Sequence, residues 1–252
     1  DELGACLPLA AGTYTVGSGV GDDYPTIGAA VAALGCGISG HIVFELVDPV
    51  YSASKTGFEE IYPITIPSVA GSGPLATVTF RPAAGVDPVI SGSNANSLFI
   101  FSEATYTYFN GWDGVGAVNK DLTVYNTHAT AATAFIFQND SRYNSVSNCQ
   151  IKGRNTNVNN GLIQFLDAIV ATGEGNRYNT LADNSIGADG VGELKTAVYA
   201  YDKNNRGNHH NTISGNYIYN FTENGIYIAP QTVALGGADL ANNWQISGNS
   251  LY

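Results

Sequence analysis

The residues that could most readily take part in catalysis form a cluster of titratable side chains late in the chain. The cluster contains Asp202, Lys203, Arg206, His209 and His210. A lyase that cleaves a polysaccharide by β-elimination needs a base of near-neutral pKa and a cation beside the sugar carboxylate, and these residue types could supply both. Their spacing matches no diagnostic catalytic pattern, so catalysis at this cluster is one hypothesis among others.

Three basic side chains recur at the same place in a repeated pattern. Arg142, Arg177 and His209 each lie two residues before a short phrase that recurs along the chain. We therefore predict that they stack on successive coils and form a row that binds an acidic sugar or another ligand. The alternative is a row of surface turn residues paired with carboxylates such as Asp140, and such pairs contribute little to stability.

Hydrolysis of a glycoside is a second type of chemistry to consider. It needs two carboxylates about 5–10 Å apart. Asp183 and Asp189 are candidates because they are close in sequence, although capping of a turn explains Asp183 equally well.

Metal binding has less support. Asp22 and Asp23 lie in a Gly-rich turn that could hold Ca²⁺, with a solvated turn as the simpler alternative. The adjacent His209 and His210 are expected to point apart, and no third ligand has a suitable spacing. We expect no cofactor other than this Ca²⁺.

The basic residues precede a phrase whose apolar positions stay in register. The phrases begin at residues 144, 179, 211 and 244, so their spacing is 35, 32 and 33 residues, and they read NSVSNCQI, NTLADNSI, NTISGNYI and WQISGNSL. Apolar residues occupy the third position each time and the eighth position each time, which indicates two short strands joined by a bend. A coil of short strands that returns to the same place once per repeat is a β-solenoid.

Each repeat also contains a second apolar strand, and Asn is concentrated in the repeats. The strands are expected at 134–137, 162–165, 197–201 and 225–228, and all 25 Asn lie from Asn94 onward. Stacked coils place equivalent side chains about 4.8 Å apart, so each Asn could bond the next Asn and also cap its own turn in the left-handed backbone region.

Aromatic residues alternate along the second strands. Phe135, Phe137, Tyr199 and Tyr201 occupy alternating positions, so we predict stacked aromatic rows inside or on the coils. A row on the outside would be a platform for sugar rings.

The first third of the chain is less regular. Residues 28–34 form the only convincing helix, with Thr26 as its N-cap and Gly35 as its end, and this helix should cover the first coil. We predict one β-helix domain over 1–252, with a cap and irregular first coils over 1–93 and regular Asn-rich coils over 94–252.

Five segments near the N-terminus follow one another in a distinctive order: GTYTVG (12–17), DYPTI (23–27), AAVAAL (29–34), CGISG (36–40) and IVFEL (42–46). This order resembles the opening of pectin-lyase-like right-handed parallel β-helix proteins, and is most similar to secreted and surface proteins of Bacteroidetes. The resemblance implies the right-handed β-helix fold. It leaves the function open, because the family mixes polysaccharide lyases, hydrolases, adhesins and filament components.

Composition indicates an extracellular protein. The sequence contains no Met, so we expect that a secretion signal was removed, and we expect the chain to be part of a longer polypeptide. Cys6 and Cys36 flank the first segment and are predicted to form a disulfide, whereas Cys149 is more simply a small buried residue than a reactive thiol.

Charge and hydropathy exclude several partners. The formal net charge of −11 repels nucleic acid and anionic lipid, and no run of 18 apolar residues could span a membrane. We therefore predict a secreted or cell-surface, non-catalytic module for adhesion, glycan binding or assembly. Its partner would be an extracellular glycan or protein, and self-assembly or covalently continuous further domains are compatible with it. The alternative is a polysaccharide lyase or glycoside hydrolase that acts on an extracellular polysaccharide. Its catalytic residues would come from Arg142, Arg177, Asp202, Lys203, Arg206, His209 and His210.

Overall fold

A computed structural model describes residues 6–166, 175–201, 207–229 and 243–252. One α-helix, α1 (Ile27–Ala33), lies between the first two strands of these ranges. The strands in chain order are β1 (Gly12–Val16), β2 (Ile42–Leu46), β3 (Val50–Ser52), β4 (Ile64–Ile66), β5 (Val78–Pro82), β6 (Val89–Gly92), β7 (Phe99–Ser102), β8 (Thr107–Asn110), β9 (Thr123–Asn126), β10 (Phe135–Gln138), β11 (Ser145–Ser147), β12 (Gln150–Gly153), β13 (Ile163–Phe165), β14 (Thr180–Ala182), β15 (Ser185–Ala188), β16 (Thr196–Ala200), β17 (Thr212–Ser214), β18 (Tyr217–Tyr219), β19 (Asn224–Ile228), β20 (Gln245–Ser247) and β21 (Ser250–Leu251).

The strands form three parallel sheets. The first sheet has the order β1-β2-β5-β8-β11-β14-β17-β20, the second runs from β3 to β21 through every third strand, and the third runs from β4 to β19 in the same way. In the described ranges, six complete coils, from β2–β4 to β17–β19, contribute one strand to each sheet, and β1, β20 and β21 belong to incomplete coils on either side of them. The predicted all-β parallel solenoid is confirmed.

Equivalent residues of the repeated phrase lie over one another. Val146 pairs with Leu181, Leu181 with Ile213, and Ile213 with Ile246. In the preceding coil Phe109 takes this position opposite Val146, so the phrase there begins at Thr107.

Aromatic rows occur both inside and outside the coils. Phe137 stacks between Phe101 and Phe165, with ring centroids 4.6 and 4.7 Å apart, and Phe135 stacks on Phe99 at 5.4 Å. These rings belong to the buried core. Tyr199 and Tyr201 belong instead to a separate stack with Tyr227, in which the ring centroids of Tyr199 and Tyr227 are 5.6 Å apart.

Buried Asn side chains form the predicted ladders. The amide of Asn144 donates to Oδ1 of Asn179 at 3.0 Å, and the amide of Asn179 donates to Oδ1 of Asn211 at 3.0 Å. A second ladder joins Asn184, Asn216 and Asn249, each pair at 2.9 Å. The expectation that these Asn residues themselves adopt the left-handed conformation was wrong. The neighbouring residues adopt it instead, because the ladder Asn must keep its side chain inside the coil.

The N-terminal helix is capped from two sides. The Thr26 hydroxyl accepts from the Ala29 N–H, as predicted, and the buried Glu60 carboxylate accepts from the N–H groups of Ile27 and Gly28 at 2.6 and 3.1 Å. Gly35 does not end the helix. The α-helix ends at Ala33 and is followed by a 3-10 turn over Leu34–Cys36, after which Gly37 with φ 85° turns the chain. None of the helices in the described ranges is long and apolar enough to cross a membrane.

The predicted disulfide between Cys6 and Cys36 is present, and Cys149 is a buried free cysteine. Burial raises the pKa of the Cys149 thiol to about 12, so a thiol reagent should reach and react with it only after unfolding. We expect a thiol titration to find one thiol in denaturant without reductant and three after reduction. Three reactive thiols before reduction would contradict the disulfide, whose closed loop is worth roughly 3–4 kcal/mol on the chain-entropy model.

Candidate functional site

The three basic residues singled out by spacing lie in register. Arg142 pairs with Arg177 and Arg177 pairs with His209 through single parallel bridges at the corner where each coil enters the first sheet. The stacking predicted from the spacing is thus confirmed. A ligand-binding role for this basic row stays a prediction.

A stack of tyrosines lies one residue further along each coil. The rings of Tyr106 and Tyr143 are 4.9 Å apart and inclined by 9°, and those of Tyr143 and Tyr178 are 5.0 Å apart and inclined by 4°. His210 continues the column, with its ring 5.1 Å from that of Tyr178. We call Tyr106, Tyr143 and Tyr178 the tyrosine stripe.

Backbone conformation explains why these rings lie outside the coil. Tyr106, Tyr143, Tyr178 and His210 have φ between 53° and 57°, a left-handed conformation that interrupts the alternation of a strand. The side chains of Tyr143 and Tyr178 remain 38% and 40% exposed. Both residues are therefore partly accessible to a ligand.

Beside the stripe, the outer side of the first sheet carries only uncharged residues from β11 onward. In β11, β14 and β17 the central residue is buried and its two neighbours face outward. β20 continues the same register, but its central residue, Ile246, is 48% exposed. We call the outward residues the hydroxyl face: Ser145, Ser147, Thr180, Ala182, Thr212, Ser214, Gln245 and Ser247.

The stripe and the first part of the hydroxyl face enclose a groove of about 490 Å³. The groove is lined by Thr79, Tyr106, Tyr108, Asn110, Tyr143, Asn144, Ser145, Ser147, Tyr178 and Thr180. None of the lining residues is Asp, Glu, Lys, Arg or His, and all ten carry a hydroxyl or an amide. The groove can therefore offer both aromatic contact and many neutral hydrogen bonds.

A charged pocket of about 530 Å³ adjoins the groove at the same corner of the coils. Its lining includes Glu103, Asp140 and Arg142, and Arg142 is directly followed by Tyr143 of the groove. Oδ1 of Asp140 accepts from the Gly175 N–H at 2.7 Å, so this carboxylate is partly engaged by the turn of the next coil. The charged side chains thus lie beyond the stripe and outside the groove.

The titratable cluster is only partly described. Asp202, Lys203 and Arg206 lie outside the described residues, whereas His209 and His210 lie within them. The expectation that the two His side chains point apart was wrong, since their Nδ1 atoms are 2.6 Å apart. Adjacent side chains point to opposite faces in an extended strand, but His210 has φ 53° and is not extended. At this distance one imidazole donates a hydrogen bond and the other accepts it.

The two candidate carboxylates are not brought together. Asp183 has φ 55° at the bend between β14 and β15, whereas Asp189 follows β15, so the whole strand separates them. Burial alone would raise the pKa of Asp189, but hydrogen bonds from the Val191 N–H and from Tyr125 and Arg154 outweigh it and hold the pKa below its usual value. Asp189 is therefore an ionised structural group.

The Ca²⁺ candidates are engaged within their own turn. Oδ2 of Asp22 accepts from the Gly19 N–H, and Oδ2 of Asp23 accepts from the Thr15 N–H, both at 2.7 Å. Over the described ranges no group of three or more His, Cys, Asp or Glu side chains could hold a metal ion. Calcium binding at Asp22 and Asp23 stays a prediction.

Comparison with solved structures finds one titled "Rhamnogalacturonan lyase", with 10% sequence identity and a TM-score of 0.34. The match covers 94% of this chain, which spans 62% of the length of that protein. No protein-family model matches the sequence, and no curated protein matches it. The similarity to the lyase is too distant to say anything about activity, and what the structure establishes is a parallel β-solenoid of the kind that the N-terminal segments indicated.

Proposed function

We propose that this chain is a non-catalytic extracellular module that binds a polysaccharide along the tyrosine stripe. The observation that carries the proposal is the composition of the groove, in which four tyrosines and six Ser, Thr or Asn residues meet without a charged side chain. A sugar ring has the complementary character, with C–H groups for aromatic contact and hydroxyls that both donate and accept.

Stacking prepares the stripe for binding. Tyr143 is held between the rings of Tyr106 and Tyr178, so its conformation is largely fixed before a ligand arrives. Immobilising a free side chain at an interface costs about 0.5–1.5 kcal/mol. The stripe avoids most of this cost, and its repetition on successive coils suits a ligand that itself repeats.

Charge favours a neutral glycan. The chain carries 21 acidic and 10 basic residues, and the groove contributes neither kind. An anionic polymer would meet the repulsion of the whole protein, whereas a neutral polysaccharide would not. The disulfide between Cys6 and Cys36 is compatible with an oxidising location outside the cytosol, which supports a secreted or surface-displayed protein.

Removal of the stripe should weaken binding of soluble oligosaccharides. A glycan array identifies the ligand, and a calorimetric titration then compares the native protein with Tyr143→Ala/Tyr178→Ala. We expect a loss of affinity of about tenfold or more, since each aromatic contact contributes about 0.5–1.5 kcal/mol. Tyr217→Ala is the matched control, because Tyr217 is 47% exposed but lies on the second sheet, and its affinity should stay within twofold of native. Equal affinities for all three proteins would refute the proposal.

An assay for reaction products distinguishes the enzymatic alternative from binding without catalysis. The same polysaccharides are incubated with the native protein and assayed for unsaturated ends and for new reducing ends. We expect no products. Turnover that disappears in Arg177→Ala or His209→Ala would instead establish a lyase or hydrolase that uses the basic row.

A further inference from the structure

We infer that the hydroxyl face binds the surface of a packed, insoluble neutral polysaccharide, alongside the groove that takes a single chain. This inference rests on the proposed function and specifies the physical form of its ligand. The face shares its first part with the groove and continues over β17 and β20 beyond the residues that line the groove.

The geometry of the face is regular in two directions. The paired strands β11, β14, β17 and β20 stack without a register shift, so equivalent outward side chains repeat about every 4.8 Å along the axis. Along each strand, outward positions repeat about every 6.6 Å, which is twice the rise per residue. Ser147, Ala182, Ser214 and Ser247 occupy equivalent positions in this lattice, so three of the four side chains in this row carry a hydroxyl.

The far edge of the face is open in its last two coils. The bend after each strand carries Asn148, Asp183, Gly215 and Gly248 in turn, all in the left-handed conformation. The two Gly residues have no side chain to stand above the face, although the Asp183 carboxylate lies beside Gly215. A broad partner can therefore extend across this edge at β17 and β20, whereas a single chain in the groove would not reach it.

Charge matches the face to a neutral partner. In a protein with a formal net charge of −11, the outward residues of four consecutive strands include no Asp, Glu, Lys or Arg. The face also adjoins the tyrosine stripe, because Ser145, Ser147 and Thr180 belong to both the groove and the face. Polysaccharide chains packed side by side present repeated hydroxyls over a plane, which is the arrangement that this surface can meet with small donors and acceptors.

The test places a bulky charged side chain on the face and outside the groove. Ser214→Arg projects from β17 across the flat surface, and Ser185→Arg is the matched control on β15 of the second sheet. Depletion assays measure binding to particles of cellulose, chitin, mannan and β-1,3-glucan, and titrations measure binding of the corresponding soluble hexasaccharides. Melting temperatures confirm that both variants fold.

We expect Ser214→Arg to lose at least tenfold in affinity for the particles while keeping the native affinity for the soluble hexasaccharide within twofold. Ser185→Arg should match the native protein in both assays. Particle binding that is unaffected by Ser214→Arg, or a native protein that binds soluble hexasaccharides but no particle, would overturn the inference and leave the proposed function standing. A native protein that binds neither form would refute both.

Discussion

Replacement of Asn179 by Ala is expected to destabilise the protein by about 4 kcal/mol. Asn179 is fully buried, its Oδ1 accepts from the N–H and the side-chain amide of Asn144, and its own amide donates to Ser141 and Asn211. The substitution removes all four hydrogen bonds and leaves the Asn144 N–H buried without this acceptor. Each orphaned buried group costs about 1–3 kcal/mol, and the lost bonds add to that cost.

Chemical denaturation measures this effect as a lower midpoint denaturant concentration of the variant than of the native protein. The comparison is valid when the free energy of unfolding depends on denaturant concentration with the same slope in both proteins. In a thermal scan the same loss should lower the melting temperature by roughly 8–16 °C for a chain of this size. Asn159→Ala is the control, since Asn159 is exposed in a loop, and it should change stability by less than about 0.5 kcal/mol. If Asn179→Ala were no less stable than this control, the internal Asn ladders would not stabilise the stacked coils.

Replacement of Phe137 by Ala is expected to cost about 3–5 kcal/mol, which is typical of a large aromatic residue removed from a core. The side chain is fully buried, and its ring lies between those of Phe101 and Phe165 at 4.6 and 4.7 Å. Truncation therefore leaves a cavity between two coils and removes two stacking contacts. Chemical denaturation monitored by tryptophan fluorescence measures this loss of stability, because Trp244 contacts Phe165 edge to face and so reports on the core.

Two further variants show whether position or residue type causes the loss. Phe137→Leu keeps most of the volume and should recover more than half of the stability. Tyr227→Ala truncates an aromatic residue at the surface and should cost less than about 1 kcal/mol. Equal costs for Phe137→Ala and Tyr227→Ala would contradict the assignment of the Phe row to the core.

The register between strands of successive coils could be predicted from the sequence, because stacking places similar residues directly above one another. A fixed offset between apolar positions in the repeated phrase was enough to align Val146, Leu181 and Ile213, and to place Arg142 over Arg177. The Asn ladders followed from the same reasoning, since an amide can both donate and accept along a column.

The tyrosine stripe could not be predicted in the same way, although its signal was present. Tyr143 and Tyr178 each directly precede the first Asn of a phrase, and Tyr106 precedes Thr107 at the equivalent position. Alternation along a strand does not say where a side chain points at a corner, because a left-handed residue interrupts the alternation. The same conformation at His210 brought two imidazoles together that a strand would have separated.

The proposal that a glycan lies along the tyrosine stripe is tested most directly by an NMR titration with ¹³C-labelled tyrosine rings. The oligosaccharide selected by the array is added to the native protein, and Tyr→Phe variants assign the ring signals. We predict concentration-dependent shifts for Tyr143 and Tyr178 and unchanged signals for Tyr217 and Tyr227, which lie on the second and third sheets. Shifts at Tyr217 or Tyr227 with none at Tyr143 and Tyr178 would contradict the proposal.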